Sequence, residues 1–268
     1  MSATSPQPLV SIVVLTRNNP QELDGTLASI RSQQVSAALQ VVVVDGSDEP
    51  VSPQAMAPFE LVRDHPARGI YPAMNLGLAH CRGHWVQFLN SGDNWLHPHA
   101  LQRLLDHALA HISRTGTPPR VVFGQARVCP VPPSRCPPWL VPDPAVRSLR
   151  RWLWFYLPNH QSLVVEGDWA RAHPYRLDAP QGACRGWMAS ALADLSRVAY
   201  LREPVVAYNL GGVSSQLPTW AVLRLRLREP TRNLPAKAAE IIKFGLRPFA
   251  RHYPRLMALR SRLVGWLV

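Results

Sequence analysis

RGIYPAMNLGLAHCRGHWVQFLNSGDNW, residues 68–95, is the stretch on which the fold turns. A tight Arg68-Gly69 turn leads into a short helix carrying Asn75. A second glycine turn, Arg82-Gly83, leads into an apolar strand from His84 to Leu89. That strand ends in four polar residues, Asn90-Ser91-Gly92-Asp93. An apolar strand that delivers an acid at its carboxyl end is how open α/β sheets present chemistry to a ligand.

Upstream, Val10 to Leu15 is an unbroken apolar run, as expected of a strand buried on both faces. It stops at Thr16-Arg17-Asn18-Asn19-Pro20. Gln21 to Gln33 places Leu23, Leu27 and Ile30 at helical spacing, and Leu39 to Val44 ends in Asp45-Gly46-Ser47-Asp48. Strand, helix, strand predicts a βαβ unit with a right-handed crossover, so both polar strand ends fall on one edge. Phe59 to Arg63 reads as a third strand. Downstream, Pro98 to Ile112 reads as a helix with Leu101, Leu104, Leu105 and Leu109 inward, and Arg120 to Gly124 as a strand. The proline-rich stretch 129–144 predicts an irregular connector rather than a central strand. Arg147 to Tyr156 is aromatic and basic, and Asn159-His160-Gln161-Ser162 opens a short strand, Leu163 to Val165. A helix over Trp187–Leu195 and a strand over Val205–Asn209 precede a polar loop, Gly211 to Ser215.

The chain has 268 residues and a formal charge of +12. Such a charge implies an acidic partner: nucleotide phosphates, anionic lipid or nucleic acid. Nucleic acid is set aside, because no binding module is present and the charge is concentrated in the tail. Residues 219–268 hold eleven Lys or Arg against two Glu, mixed with apolar residues at near-helical spacing. This divides the chain into a domain, 1–218, and a basic helical tail, 219–268. The tail suits an anionic bilayer surface, or else packs its apolar faces on the domain and solvates its arginines. Cys81, Cys129, Cys136 and Cys184 lack metal-type spacing and read as free thiols. The amino terminus does not read as a signal peptide, and no run reaches the roughly 18 apolar residues of a membrane span. The expectation is a cytoplasmic protein, peripheral on the inner face of the membrane.

Five segments, SIVVLTRNN at 11–19, VVVVDGSDE at 41–49, GIYPAMNLGLAHCRGHWVQFLNSGDNW at 69–95, NHQSLVV at 159–165 and NLGGVSS at 209–215, resemble family-2 glycosyltransferases in order and spacing. The bacterial subgroup of colanic-acid-like exopolysaccharide assembly is the most similar. The resemblance spans roughly residues 9–216 and leaves the tail outside. It implies the GT-A fold: a Rossmann-like, mainly parallel sheet flanked by helices. It further implies that Thr16, Arg17, Asn18, Asp45, Arg68, Asn75, Asn90 and Ser91 face a UDP- or GDP-linked sugar. Asp93 would hold Mg²⁺ or Mn²⁺, and His160 and Gln161 would line the acceptor side. Asp45 and Ser47 can equally form a turn, Asp93 can cap a helix, and His160 can be a core residue.

The sequence departs from the subgroup where the general base is expected. Cys184 and Gly186 stand in place of acids, and Pro72 replaces an Asp. Asp178, Glu166 and Asp168 are the remaining acids near the motif. The implied function is inverting transfer of a sugar to a lipid-linked or glycan acceptor in cell-surface polysaccharide synthesis. The alternative is a degenerate relative that binds sugar nucleotide or a partner without turnover.

Overall fold

The computed structural model describes residues 10–130, 134–178, 182–211, 220–228, 234–245 and 252–268. The apolar runs form β1 (Val10–Thr16), β2 (Leu39–Asp45) and β4 (Trp85–Phe88), with β3 (Glu60–Arg63) outside β2. All four are parallel. Thr16 lies opposite Asp45, Asp45 opposite Arg63, and Val13 opposite Phe88, so their carboxyl ends share one edge. The crossovers are α1 (Pro20–Arg31), the short α2 (Pro53–Met56) and α3 (Ile70–His80).

The second half changes strand direction. It comprises β5 (Asn94–Trp95), α4 (Ala100–Thr115), β6 (Val121–Pro130), β7 (Trp139–Val141), α5 (Leu149–Phe155), β8 (Leu163–Glu166), α6 (Gly167–Ala172), α7 (Ala183–Ala191) and β9 (Val198–Leu210). The sheet order is β3-β2-β1-β4-β8-β6-β9-β5, with β7 paired to β6. β8 runs antiparallel to β4 and β6, while β6 and β9 are parallel. The sheet is thus parallel through its first half and mixed beyond β4.

Each sheet face buries a helical layer. Leu23, Leu27 and Ile30 of α1 join Leu101, Leu104 and Leu105 of α4 against Ile12, Val14, Val41 and Val43. On the other face, Met74 and Leu78 of α3 and Trp187 and Met188 of α7 cover Val13, Val42, Val44, Val86 and Phe88. α3 lies close because Gly77 has no side chain; a Cβ there would stand 2.4 Å from Val13 Cγ1. Leu109, expected inward, is 63% exposed, and Ala108 and His111 take the inward register of α4 instead.

Three element boundaries differ from expectation. The proline-rich connector contains β7, a proline-free strand between Pro138 and Pro142 that pairs with β6. The helix expected over 187–195 begins four residues earlier, at Ala183, and closes before Leu195. β9 is much longer than the apolar run 205–209, because the polar Arg202-Glu203-Pro204 segment lies at an irregularity in the β6–β9 register.

The tail forms α8 (Trp220–Arg228), α9 (Leu234–Gly245) and α10 (Tyr253–Leu267). α10 is docked on the domain. Ala258 joins Val128, Cys136, Trp139 and Leu210, and Val268 joins Val146 and Trp152. The Ser148 N–H donates to the Val268 carbonyl at 2.9 Å. Among the described residues no helix is long and apolar enough to cross a membrane.

Candidate functional site

The ends of β1 and β2 are stapled into one platform. Asn18 adopts a left-handed backbone, φ 55°, which asparagine tolerates better than most side chains. Its N–H donates to Ser47 Oγ at 2.9 Å, and its side chain exchanges two hydrogen bonds with Asp48. Thr16 Oγ1 donates to Asn19 Oδ1 at 2.7 Å, and Arg17 is exposed beside them. Asp45 does not face outward as the resemblance implied. It is fully buried, accepts the N–H groups of Ser47 and Val51, and pairs with Arg63 at 2.6 Å. Burial pushes its pKa up, but the bonds from Ser47, Val51 and Arg63 outweigh that and hold the carboxyl below its usual range. Asp45 therefore shapes the loop that presents Asn18 and Asp48.

Arg68 reaches the same edge on a buried anchor. Its Nε donates to Asp64 Oδ1 at 3.0 Å; the Asp64 side chain is 2% exposed and that of Arg68 62%. The contact uses Nε, which leaves the terminal nitrogens for another anion. Asn75 has a different task from the one expected. Its amide donates to the Tyr175 carbonyl and accepts the Tyr175 N–H, both at 2.8 Å, clasping α3 to the loop before α7.

The Asn90–Asp93 turn lies at the end of β4. The Ser91 N–H donates to the Leu15 carbonyl at 3.0 Å, continuing the β1 pairing. Gly92, φ 94°, takes a backbone closed to most side chains. Its N–H donates to Thr26 Oγ1, and its carbonyl accepts Asn209 Nδ2 at 2.6 Å. The Asn209 N–H donates to Asp93 Oδ1 at 3.0 Å, and Gln161 donates to the same carboxylate. Asp93 does not cap a helix. Burial pushes its pKa up to about 7; the bonds from Asn209 and Gln161 oppose the rise, and the Glu22 charge adds to it.

Asn90 Oδ1 and Ser91 Oγ, in the same turn, are buried without a hydrogen-bond partner. With Asp93 they make a set of hard oxygen donors, which fits Mg²⁺ or Mn²⁺. No group of three His, Cys, Asp or Glu among the described residues could cage an ion. One carboxylate with neutral oxygens suits a cation that shares its sphere with substrate phosphates.

The acceptor side departs furthest from expectation. His160 is a core residue: its Nε2 and the Tyr175 hydroxyl share a 2.7 Å hydrogen bond, and its ring stacks on Phe88. Burial pushes its pKa down to about 4, so the ring is neutral. Gln161 braces the Asp93 turn rather than an acceptor. Glu166 lies opposite Trp85, the first residue of β4, and pairs with Arg197. Asp168 follows it and pairs with Arg171. Both stand at the amino end of β4, the wrong edge for chemistry at Asp93. Asp178 pairs with Arg176, shortly after Tyr175. Gly182, just before α7, reaches the first turn of α3, where the Tyr71 hydroxyl accepts the Gly182 N–H and donates to Cys184 Sγ at 3.5 Å. A thiol thus occupies the place where an acid was expected.

Glu22, Asp64 and Asn209 join the site without having been singled out. Asp64 and Arg68 had the spacing of a local ion pair, whereas Asn209 opened a motif whose remainder, 212–215, lies outside the described residues.

Residues 11–127 match the model for glycosyl transferase family 2. This segment is similar to family-2 glycosyltransferases. An uncharacterized glycosyltransferase of Mycobacterium tuberculosis is 29% identical over 103 residues, 37% of this chain and 39% of that protein. The match therefore spans well under half of the curated relative. Among solved structures, Staphylococcus aureus TarS residues 1–349 in complex with UDP-GlcNAc has a TM-score of 0.57 at 15% identity, covering 91% of this chain and 72% of that one. A Pyrobaculum calidifontis mannosyltransferase in complex with GDP-Man and Mn²⁺ has a TM-score of 0.51 at 17% identity, covering 95% and 74%. These likenesses establish the GT-A fold.

Proposed function

We propose that the protein transfers a sugar from a UDP- or GDP-linked donor to a lipid-linked or glycan acceptor, with inversion, in assembly of a cell-surface polysaccharide. The observation that carries this reading is the Asn90–Asp93 turn, where a buried carboxylate and two unpartnered oxygens meet the ends of the parallel strands. The donors bound by TarS and the mannosyltransferase support the substrate class.

In this reading Asn18, Asp48 and Arg17 receive base and ribose, and Arg68, held by Asp64, meets the diphosphate. Asp93, Asn90 and Ser91 would hold the divalent cation, which as a Lewis acid offsets charge on the departing diphosphate. An acceptor hydroxyl attacks the anomeric carbon, the bond to the diphosphate oxygen breaks, and the hydroxyl proton passes to a base. Asp178 is the one of the three acids on the α3–α7 side. Its bond to Arg176 holds its carboxyl below the usual range, which makes it a weak base.

The Cys184–Tyr71 contact favours a second reading, donor binding without turnover. Release of UDP or GDP from a panel of sugar nucleotides, with Mn²⁺ and a lipid-linked acceptor, separates the two. Release above the rate of water attack supports transfer; tight donor binding with no release supports the second. The basic tail, 219–268, is assigned to the inner membrane surface, on its eleven Lys or Arg against two Glu.

A further inference from the structure

α10 has two unlike faces. Ala258, Ser261, Gly265 and Val268 are buried against the domain, at spacings that place them on one side of a helix. The opposite side shows Leu259, Leu263, Trp266 and Leu267 to solvent, with Trp266 85% exposed. Arg255 and Arg262 lie on that same outer side. α5 repeats the pattern. Trp152 is fully buried, while Trp154 and Phe155 are 71% and 50% exposed and stand beside exposed Arg150 and Arg151. Neither helix contains an acidic residue.

The two helices are one structural unit. Val146, Trp152 and Val268 form a shared cluster, with Val264 and Tyr156 packed on it. The Arg260 guanidinium lies over the Tyr156 ring at 4.4 Å. Gly265 permits the approach, since a Cβ there would stand 2.8 Å from Asp143 Cβ. Exposed aromatic and aliphatic residues interleaved with arginine are what an anionic lipid interface receives: rings and chains enter the headgroup boundary while guanidinium groups meet phosphates.

We infer that α5 and α10 together form a docking face for an anionic bilayer. The inference deepens the membrane assignment made above and adds a helix that lies outside the tail. It also orients the domain. α5 ends four residues before Asn159, and its Leu149 and Leu153 pack on the core layer of α3 and α7. Docking through α5 thus brings the α3–α7 side toward the lipid, where a lipid-linked acceptor is anchored.

The test uses the full chain and sedimentation with vesicles of phosphatidylcholine, with and without phosphatidylglycerol. Binding is expected with phosphatidylglycerol, weakened by salt, and absent with phosphatidylcholine alone. Three paired variants address the face: Trp154→Ser with Phe155→Ser, Leu263→Ser with Trp266→Ser, and Arg150→Gln with Arg151→Gln. All six positions are exposed, so unchanged thermal melting is the folding control. The arginine pair is expected to weaken partitioning roughly 30-fold. Each apolar pair is expected to weaken it at least about tenfold. Binding of both α5 pairs equal to the unaltered chain overturns the inference, as does equal binding to uncharged vesicles. So does a self-association that the apolar variants dissolve while vesicle binding is absent. Binding of UDP- and GDP-sugars is measured on the same variants in solution. Its loss in the unaltered chain would sink the transferase reading and leave the docking result standing.

Discussion

A carboxyl that holds its proton up to about pH 7 ties stability and ligand binding to the same titration. Asp93 has a reference pKa of 3.8 and is pushed to about 7 in the fold, chiefly by burial. Between those values the folded state binds the extra proton, so this group makes stability fall as pH rises through the window and level off above it. Urea unfolding across that range should show the slope in the unaltered chain and lose its Asp93 part in Asp93→Asn. Cation binding needs the ionised form, so Mn²⁺ affinity in the presence of UDP should rise up to about pH 7 and then level. Titration calorimetry checks this, and Asp93→Asn should abolish the binding. Arg68 offers a second test. Asp64→Asn removes the charge that fixes it, and donor KM should rise about tenfold with kcat little changed, while Asp64→Glu restores part of the loss. At this scale the apolar run before Asn90, Ser91 and Asp93 made the strand end that carries them legible. It could not show that Asp45 is consumed by Arg63 and Val51, or that Asn75 clasps Tyr175, since those partners arrive from distant parts of the chain.

Among elements, α3 decides how the turn before it, bearing Arg68 and Gly69, meets the strands. Its seat depends on Gly77, against which Val13 and Val44 pack. Gly77→Ala forces a methyl to 2.4 Å from Val13 Cγ1, and a cost of about 1–3 kcal/mol is expected in chemical denaturation. The same glycine looks unremarkable in the sequence, where a helix-interior Gly signals only lowered propensity. β1 and β2 were readable from unbroken apolar runs and α1 from its helical apolar spacing. β5 and β7 were not: two and three residues have no period, and both owe their existence to pairing with long neighbours. β9 shows the converse, a long strand concealed by an Arg-Glu-Pro interruption that the register irregularity absorbs.

For the molecule as a whole, α10 belongs to the folded body. Removing residues 252–268 would expose Trp152, Val146 and the Val128–Trp139–Leu210 cluster together. A clear fall in melting temperature is therefore expected from that truncation, measured by calorimetry, in contrast to the exposed-face substitutions, which should leave it in place. Composition revealed the basic tail, but alternation of buried and exposed positions along α10 required the partner surface to be seen. The clamp between Asp93 and Asn209 has a consequence in time as well as space. It closes a separation of 116 residues, whereas the first β1–β2 contact, Val10 to Leu39, closes 29. Four times the separation adds about 1.2 kcal/mol of loop-closure entropy, at about 0.6 per doubling. The parallel half of the sheet can thus assemble while the Asn90–Asp93 turn is still open. In pulse-labelled hydrogen exchange during refolding, the Val10–Thr16 amides should gain protection before that of Asn209, so the parallel strand ends are in place before the Asp93–Asn209 clamp closes over them.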